Sequence, residues 1–354
     1  MTVFISIVSF LAVIIVLVLA HEFGHFITAR ARGVRVDEFG IGFPPRIYGI
    51  KRGETTYSIN AIPLGGFVKL AGEEDPNIQG SLAGKSIPTR LLVLSAGVIM
   101  NFLLPFLLFS IAYMIPHQAI QGTVTVENVS SASPAYEAGI LPGDTLLSVN
   151  GQSINYAGEL SRLIQLNLGK STKFTVLHAD GTTENLRLIP RWRPPEGEGA
   201  VGVLTRTDNT SIVSKSLPFW KAIPEGVKSC VETFVLFKNG IISMIIGTTP
   251  AQFTGPVGIA QLTGQVASAG ISPLLEFAAF LSINLAIFNI FPLPGLDGGR
   301  IAFVLLEWIR RGKRVPPRIE GMVHLAGFAL MIIFFIALTY QDIARIVSGG
   351  SLIP

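Results

Sequence analysis

Four stretches of this chain each supply the run of about 20 apolar residues that a helix needs to cross a bilayer. They lie at roughly 3 to 27, 91 to 115, 273 to 293 and 321 to 340. Of the 354 residues 49% are hydrophobic and only 14% charged, against a usual charged share of about a quarter. Both observations place the chain among polytopic α-helical membrane proteins with four transmembrane helices. A weaker apolar stretch, 229 to 247, contains Glu232 and Lys238. It reads as a helix on the membrane surface or packed on the spans, with a fifth span as the competing reading.

The first stretch has no Lys or Arg before its apolar core, so the positive region of a signal peptide is missing. The basic residues follow it: Arg30, Arg32, Arg35, Arg46, Lys51, Arg52, Lys69, Lys85 and Arg90. A second cluster, Arg300, Arg310, Arg311, Lys313, Arg314 and Arg318, follows the third span. Positive loops stay in the cytoplasm. The loops 28–90 and 297–320 are therefore expected inside, and both termini and the segment 117–270 outside. A net charge of +4 is too small to argue for a nucleic-acid partner. The single cysteine, Cys230, excludes an internal disulfide and a thiolate zinc site, so a metal must be held by His, Asp or Glu.

The first span runs without a turn signal into His21-Glu22-Phe23-Gly24-His25. Positions i and i+4 share a helix face, so His21 and His25 can offer two imidazole nitrogens to one metal. Glu22 projects beside them, where it can take a proton from water. This is the zinc-hydrolase arrangement. Two histidines and a glutamate hydrogen-bonded to headgroups would be the bland reading. Ionisable residues at membrane depth are costly and are functional by default, and here three fall within five positions. Gly24 suits close packing of a neighbouring helix.

The third ligand is not where longer zincin motifs put it, because Thr28 and Ala31 occupy those places. His117 and His178 fall outside the membrane, and His324 reads as a packed histidine. Glu276 starts the third span at the outer face, and Glu307 and Asp342 read as solvated. Asp297 remains. His21 lies about 18 residues, or about 27 Å, along the first span, near its cytoplasmic end. Asp297 ends the third span at the same face. Pro292 and Pro294 break the helix there, and freed backbone can line a watery pocket.

Outside the spans, residues 121 to 205 are β-rich, with short runs separated by Gly, Pro, Asn and Asp. Ser133-Pro134-Ala135-Tyr136-Glu137-Ala138-Gly139-Ile140-Leu141-Pro142-Gly143-Asp144, followed by Val149-Asn150-Gly151, resembles a PDZ domain, a module that adds a peptide to a sheet edge. Between the first two spans, Arg46 to Ile50 and Thr56 to Ile59 read as a hairpin about Lys51-Arg52-Gly53-Glu54. Pro63 to Lys69 could begin another strand.

Taken together the chain resembles the site-2 protease family of intramembrane zinc metalloproteases, in the bacterial form with one PDZ domain (the regulator of sigma-E protease type). The resemblance rests on HEFGH, Asn289 to Gly299 as NxxPxPxLDG, PLGGFVKLAGE at 63 to 73, Ala96 to Phe102, and Gly255 to Ile259. It implies one Zn2+ held by His21, His25 and Asp297, with Glu22 as general base and Asn289 placing substrate or oxyanion. It implies substrate contacts at Asn101, at Gly65 and Gly66 of a membrane-associated β-hairpin, and at Pro292 and Pro294. Val98 departs from relatives that have Pro there.

The implied domains are 1–116 (spans 1 and 2 with the hairpin), 117–206 (PDZ), 207–270 (an amphipathic linker at the membrane surface) and 271–354 (spans 3 and 4). The implied location is the bacterial plasma membrane, with the PDZ domain outside and the active site near the cytoplasmic face. The implied partners are the lipid bilayer, pre-trimmed single-span substrates such as anti-sigma factors or remnant signal peptides, and peptide termini at the PDZ domain. Two other classes compete. A membrane-anchored PDZ scaffold would survive loss of Glu22. A metal transporter needs polar groups along a continuous path, whereas here they cluster at one face.

Overall fold

The computed structural model describes residues 2–73, 75–250 and 253–348. In chain order the elements are α1 (Thr2–Ala31), β1 (Val36–Arg52), β2 (Thr55–Leu70), α2 (Ile87–Met114), β3 (His117–Val129), α3 (Pro134–Glu137), β4 (Thr145–Val149), β5 (Gln152–Ser153), α4 (Ala157–Leu166), β6 (Thr172–Leu177), β7 (Thr183–Leu188), β8 (Val203–Lys215), α5 (Phe219–Ile245), α6 (Pro256–Ala269), α7 (Ile271–Ile290), α8 (Asp297–Ile309) and α9 (Pro317–Val347). They form two units. One holds α1, β1, β2, most of α2, the start of α5 and α6 to α9; the other holds β3 to β8, α3, α4 and the rest of α5.

In the helical unit α1, α2, α7 and α9 are long and apolar enough to cross a membrane, and they overlie the four apolar stretches. Helix α1 continues through HEFGH and stops at Gly33, whose φ of 65° lets Val34 N–H reach back to Ala29 O at 2.9 Å. That closure satisfies carbonyls left over at the helix end. Close approach to α2 depends on Gly24, where a Cβ would lie 2.4 Å from Ala96 O.

Two helices were not anticipated. Residues 297–320, expected as a loop, begin with α8, whose Ile301, Val304, Leu305 and Trp308 recur at helical spacing. Helix α6, within the expected linker, packs along α1. The two carboxylates read as solvated are both buried. Glu307 accepts from Arg90 Nη1 at 2.5 Å and from Arg314 Nε at 3.1 Å. Asp342 accepts from Gly258 N–H and from Arg345, each at 2.7 Å. Both sit near element ends, but partners distant in sequence draw them inside.

The predicted hairpin exists and is larger than expected. Its turn joins Arg52 and Thr55, and pairing runs Ile50↔Tyr57 and Tyr48↔Ile59. Both strands then fold back on themselves. Residues 38–41 pair with 56–59 on one side (Phe39↔Tyr57) and with 66–69 on the other (Phe39↔Val68). The result is four ribbons, in the order 66–70, 38–41, 56–59 and 48–52. Residues 63–69, expected to begin a strand, are the end of β2 and form an edge ribbon. Ile41, Phe43, Ile47, Tyr48, Ile50 and Ile59 are exposed on this sheet.

The other unit is a six-stranded sheet ordered β7-β6-β4-β3-β8, with β5 beside β4. Val124, Val126, Leu146, Val149, Phe174 and Val176 alternate inward and pack against Leu160, Leu163 and Ile164 of α4. Ser133 caps α3 by accepting from Tyr136 N–H at 3.1 Å, and Asp144 accepts from Leu141 N–H at 2.8 Å. The boundary expected at 206 falls inside β8, because the β3–β8 ladder continues to His117↔Lys215. The later part of α5 packs on this unit. Val235 and Leu236 meet its core, and Asn239 donates to Gln165 O at 2.6 Å.

Candidate metal centre and active site

One turn of α1 and the first turn of α8 build the centre. His21 Nε2 lies 2.9 Å from Asp297 Oδ2, and His25 Nε2 lies 3.1 Å from the same oxygen. The two Nε2 atoms are 3.3 Å apart. Among the described residues these three are the one group of His, Cys, Asp or Glu that converges in this way. Tetrahedral zinc with bonds of about 2.0–2.1 Å separates its ligand atoms by roughly 3.3 Å, so the triangle has the size zinc requires. Two imidazoles and one carboxylate, with no thiolate, leave a fourth position for water or substrate, as in catalytic zinc sites. The donor set fits the metal.

Asp297 does not end the third span, as the sequence had suggested. Helix α7 stops at Ile290, and Asp297 is the first residue of α8. The turn between them is pinned. Gly295 N–H donates to His324 Nδ1 at 3.0 Å, and the ring of His324 rests on Phe303. Pro294 packs so tightly on α9 that a Cβ at Gly327 would lie 2.3 Å from it. Pro292 is exposed. Asn289 is buried on the last turn of α7.

Helix α2 supplies the wall behind the histidines. His25 Nδ1 donates to Val93 O at 2.8 Å, which leaves Nε2 for the metal side. The Asn101 amide lies against His21 Nδ1, with Nδ2 at 3.2 Å. Between them, a Cβ at Gly97 would lie 2.4 Å from His25 Nε2 and 2.7 Å from His21 Nε2. Asn101, expected to touch substrate, is fully buried. Its place on α2 directs it at a histidine.

Glu22, half-buried beside the ligands, accepts from the Val68 backbone N–H at 2.8 Å. Val68 is on the edge ribbon 66–70, so that edge faces the HEFGH turn. Gly65 and Gly66 make the approach possible. A Cβ at Gly65, which has φ of 108°, would lie 2.9 Å from Val18 Cγ1. One at Gly66 would lie 3.0 Å from Leu19 Cδ2. Both glycines are buried against α1. Sequence reasoning did not assign roles to Gly97, the Val93 carbonyl or the Val68 amide. The two backbone groups leave no mark in residue identity. Gly97 could have been found from its i+4 spacing to Asn101.

The profile of Peptidase family M50 matches residues 9–334. A candidate zinc metalloprotease of Clostridium acetobutylicum is 36% identical over 338 residues, covering 93% of this chain and 94% of its own. The zinc metalloprotease RasP of Geobacillus kaustophilus is 29% identical, covering 96% of this chain and 98% of its own. The chloroplastic membrane metalloprotease ARASP of Arabidopsis thaliana is 30% identical, covering 95% of this chain and 78% of its own. With its apolar helices and a donor set that fits the metal, the chain belongs to peptidase family M50 and is a membrane zinc metalloprotease of the site-2 protease type, with Zn2+ as cofactor.

Proposed function

We propose that this protein hydrolyses peptide bonds within or near the transmembrane segments of other membrane proteins. The observation that carries the reading is the meeting of a carboxylate, a triad of metal-ligating side chains and a sheet edge at one turn of an apolar helix. His21, His25 and Asp297 hold the metal. Zinc, when bound, supplies a Lewis acid that polarises the scissile carbonyl and lowers the pKa of water. Glu22 takes the proton of the attacking water and returns it to the leaving amine. Asn289 stabilises the oxyanion.

A helical substrate hides its amides in its own hydrogen bonds and must unwind to be cut. The edge ribbon 66–70 offers it a strand partner, aligned with Glu22 through Val68. The exposed apolar residues of the hairpin support its association with the membrane.

The β-rich unit acts as a PDZ domain. Its Ser133 cap and Asp144 turn, and the edge strand β8 beside α4, where Ala157 N–H donates to Thr207 Oγ1 at 3.1 Å, support that reading. The domain receives peptide termini or excludes untrimmed substrates. Substrates are pre-trimmed single-span proteins such as anti-sigma factors, or remnant signal peptides, cut in the plasma membrane of a bacterium. This is the regulated proteolysis of the regulator of sigma-E protease type. The cut falls near the cytoplasmic face, with the β-rich unit outside.

The test is cleavage of a tagged single-span substrate by purified, detergent-solubilised protein, beside Glu22→Gln, with zinc measured on both. Cleavage by the wild type alone, with zinc in both, is expected. Equal cleavage by the two would remove Glu22 from the reaction.

A further inference from the structure

We propose that Asn101 is a positioning residue of the metal centre: its side-chain oxygen accepts the Nδ1 proton of His21 and so commits His21 Nε2 to zinc. The inference rests on the ligand reading above and extends it by one residue.

Both histidines turn Nε2 toward Asp297 Oδ2. A neutral imidazole that binds metal through Nε2 carries its proton on Nδ1, and that proton needs an acceptor. His25 has one in the Val93 carbonyl at 2.8 Å. His21 Nδ1 faces the Asn101 carboxamide, which has no exposure to solvent. With Nδ2 turned toward the ring, Asn101 Oδ1 is buried without a hydrogen-bond partner among the described residues. A half-turn of the carboxamide exchanges its oxygen and nitrogen. It gives Oδ1 a donor and His21 Nδ1–H an acceptor at once. The exchange moves Nδ2 into the place that Oδ1 held, so the orientation is decided by the metal: zinc at Nε2 puts the proton on Nδ1, which then needs an acceptor.

The position of Asn101 is itself fixed. Ser282 Oγ on α7 donates to the Asn101 backbone carbonyl at 2.9 Å. The same face of α2 presents Val93, Gly97 and Asn101 at four-residue intervals, which places them in one row under the two histidines. The row gives one histidine a carbonyl, the pair a gap where no Cβ intrudes, and the other histidine an amide. Such hydrogen bonds around metal ligands typically change metal affinity by about 10- to 100-fold.

Zinc affinity is measured by chelator competition on the full-length detergent-solubilised protein. The wild type is compared with Asn101→Leu, which keeps the volume, and Asn101→Asp, which keeps an acceptor. His21→Ala serves as the ligand control, and thermal unfolding confirms that each variant folds. The expected result is zinc bound about 10- to 100-fold more weakly by Asn101→Leu, with Asn101→Asp equal to the wild type or tighter. The cobalt-loaded Leu variant also shows a shifted d–d spectrum. Wild-type affinity in Asn101→Leu, or equal weakening in Leu and Asp, would overturn the proposal and leave the ligand set standing. Zinc retained by His21→Ala would overturn the ligand set and the proposal together. Should Asn101→Leu not fold, Asn101→Ala against Asn101→Asp makes the same comparison.

Discussion

The carboxylate of Glu22 accepts a hydrogen bond from the backbone N–H of Val68, 46 residues away on the edge of the hairpin sheet. This bond joins the proposed general base to the ribbon proposed to pair with a substrate strand. The orientation of the base and the position of the strand are therefore set together.

Displacing the ribbon should uncouple them. Gly65→Ala puts a Cβ 2.9 Å from Val18 at a φ of 108°, a conformation side chains rarely adopt. Cleavage should fall by about 100-fold, the loss that a misplacement near 1 Å produces, while bound zinc stays at the wild-type level. Turnover and elemental analysis of one preparation check this.

Gly97→Ala should do the reverse. In a helix interior the change favours folding by roughly 0.5–1 kcal/mol. Here the new Cβ would lie 2.4 Å from His25 Nε2 and force the ligand nitrogens apart. The variant should unfold at a temperature close to the wild type's and yet purify without zinc. Full zinc occupancy would mean that the histidines have room to move.

Glu307 should matter to stability and little to chemistry. It is buried against Arg90 of α2 and Arg314. Glu307→Leu leaves Arg90 buried beside an apolar side chain, a change of about 3–5 kcal/mol. Adding Arg90→Met should recover much of that, since a buried pair can be replaced by apolar residues at little net loss. Thermal unfolding of Glu307→Leu, Arg90→Met and the double variant, each against the wild type, measures the coupling.

The β-rich unit should gain stability toward acid from His178. Its Nδ1 donates to Asp144 Oδ2 at 3.0 Å. That bond raises its pKa above the usual imidazole value; partial desolvation opposes the shift, and Glu184 adds to it. A raised folded-state pKa gives stability that is fully present below the unfolded value of about 6.5. It is lost as pH rises through the folded value. The wild type should exceed His178→Gln in unfolding temperature by more at pH 6 than at pH 8. A gap independent of pH would contradict the assignment.

The sequence by itself determined the local features. The lengths of four apolar runs placed α1, α2, α7 and α9. Positions i and i+4 share a face of any helix, so the pairing of the His21 and His25 rings was legible without a fold. Asp297 could be reached from sequence because depth along a span is countable. The SPAYEAG and PGD segments carried their own caps and turns, and the strand pattern between them was local.

Only the tertiary structure decided which faces meet. One oxygen of Asp297 serves both histidines because a short helix, unseen in the sequence, begins there. Glu307 and Asp342 looked solvated until Arg90, 217 residues from Glu307, and Gly258 were brought to them. Gly65 and Gly66 proved to seat the edge ribbon on α1, and Asn101 proved to face His21. Periodicity records which side of an element is apolar. It carries no information on the opposing element, its register, or a backbone amide such as Val68 that any residue would supply. Those are fixed only when distant segments pack together, and in this protein they decide how His21, His25, Asp297 and Glu22 are held.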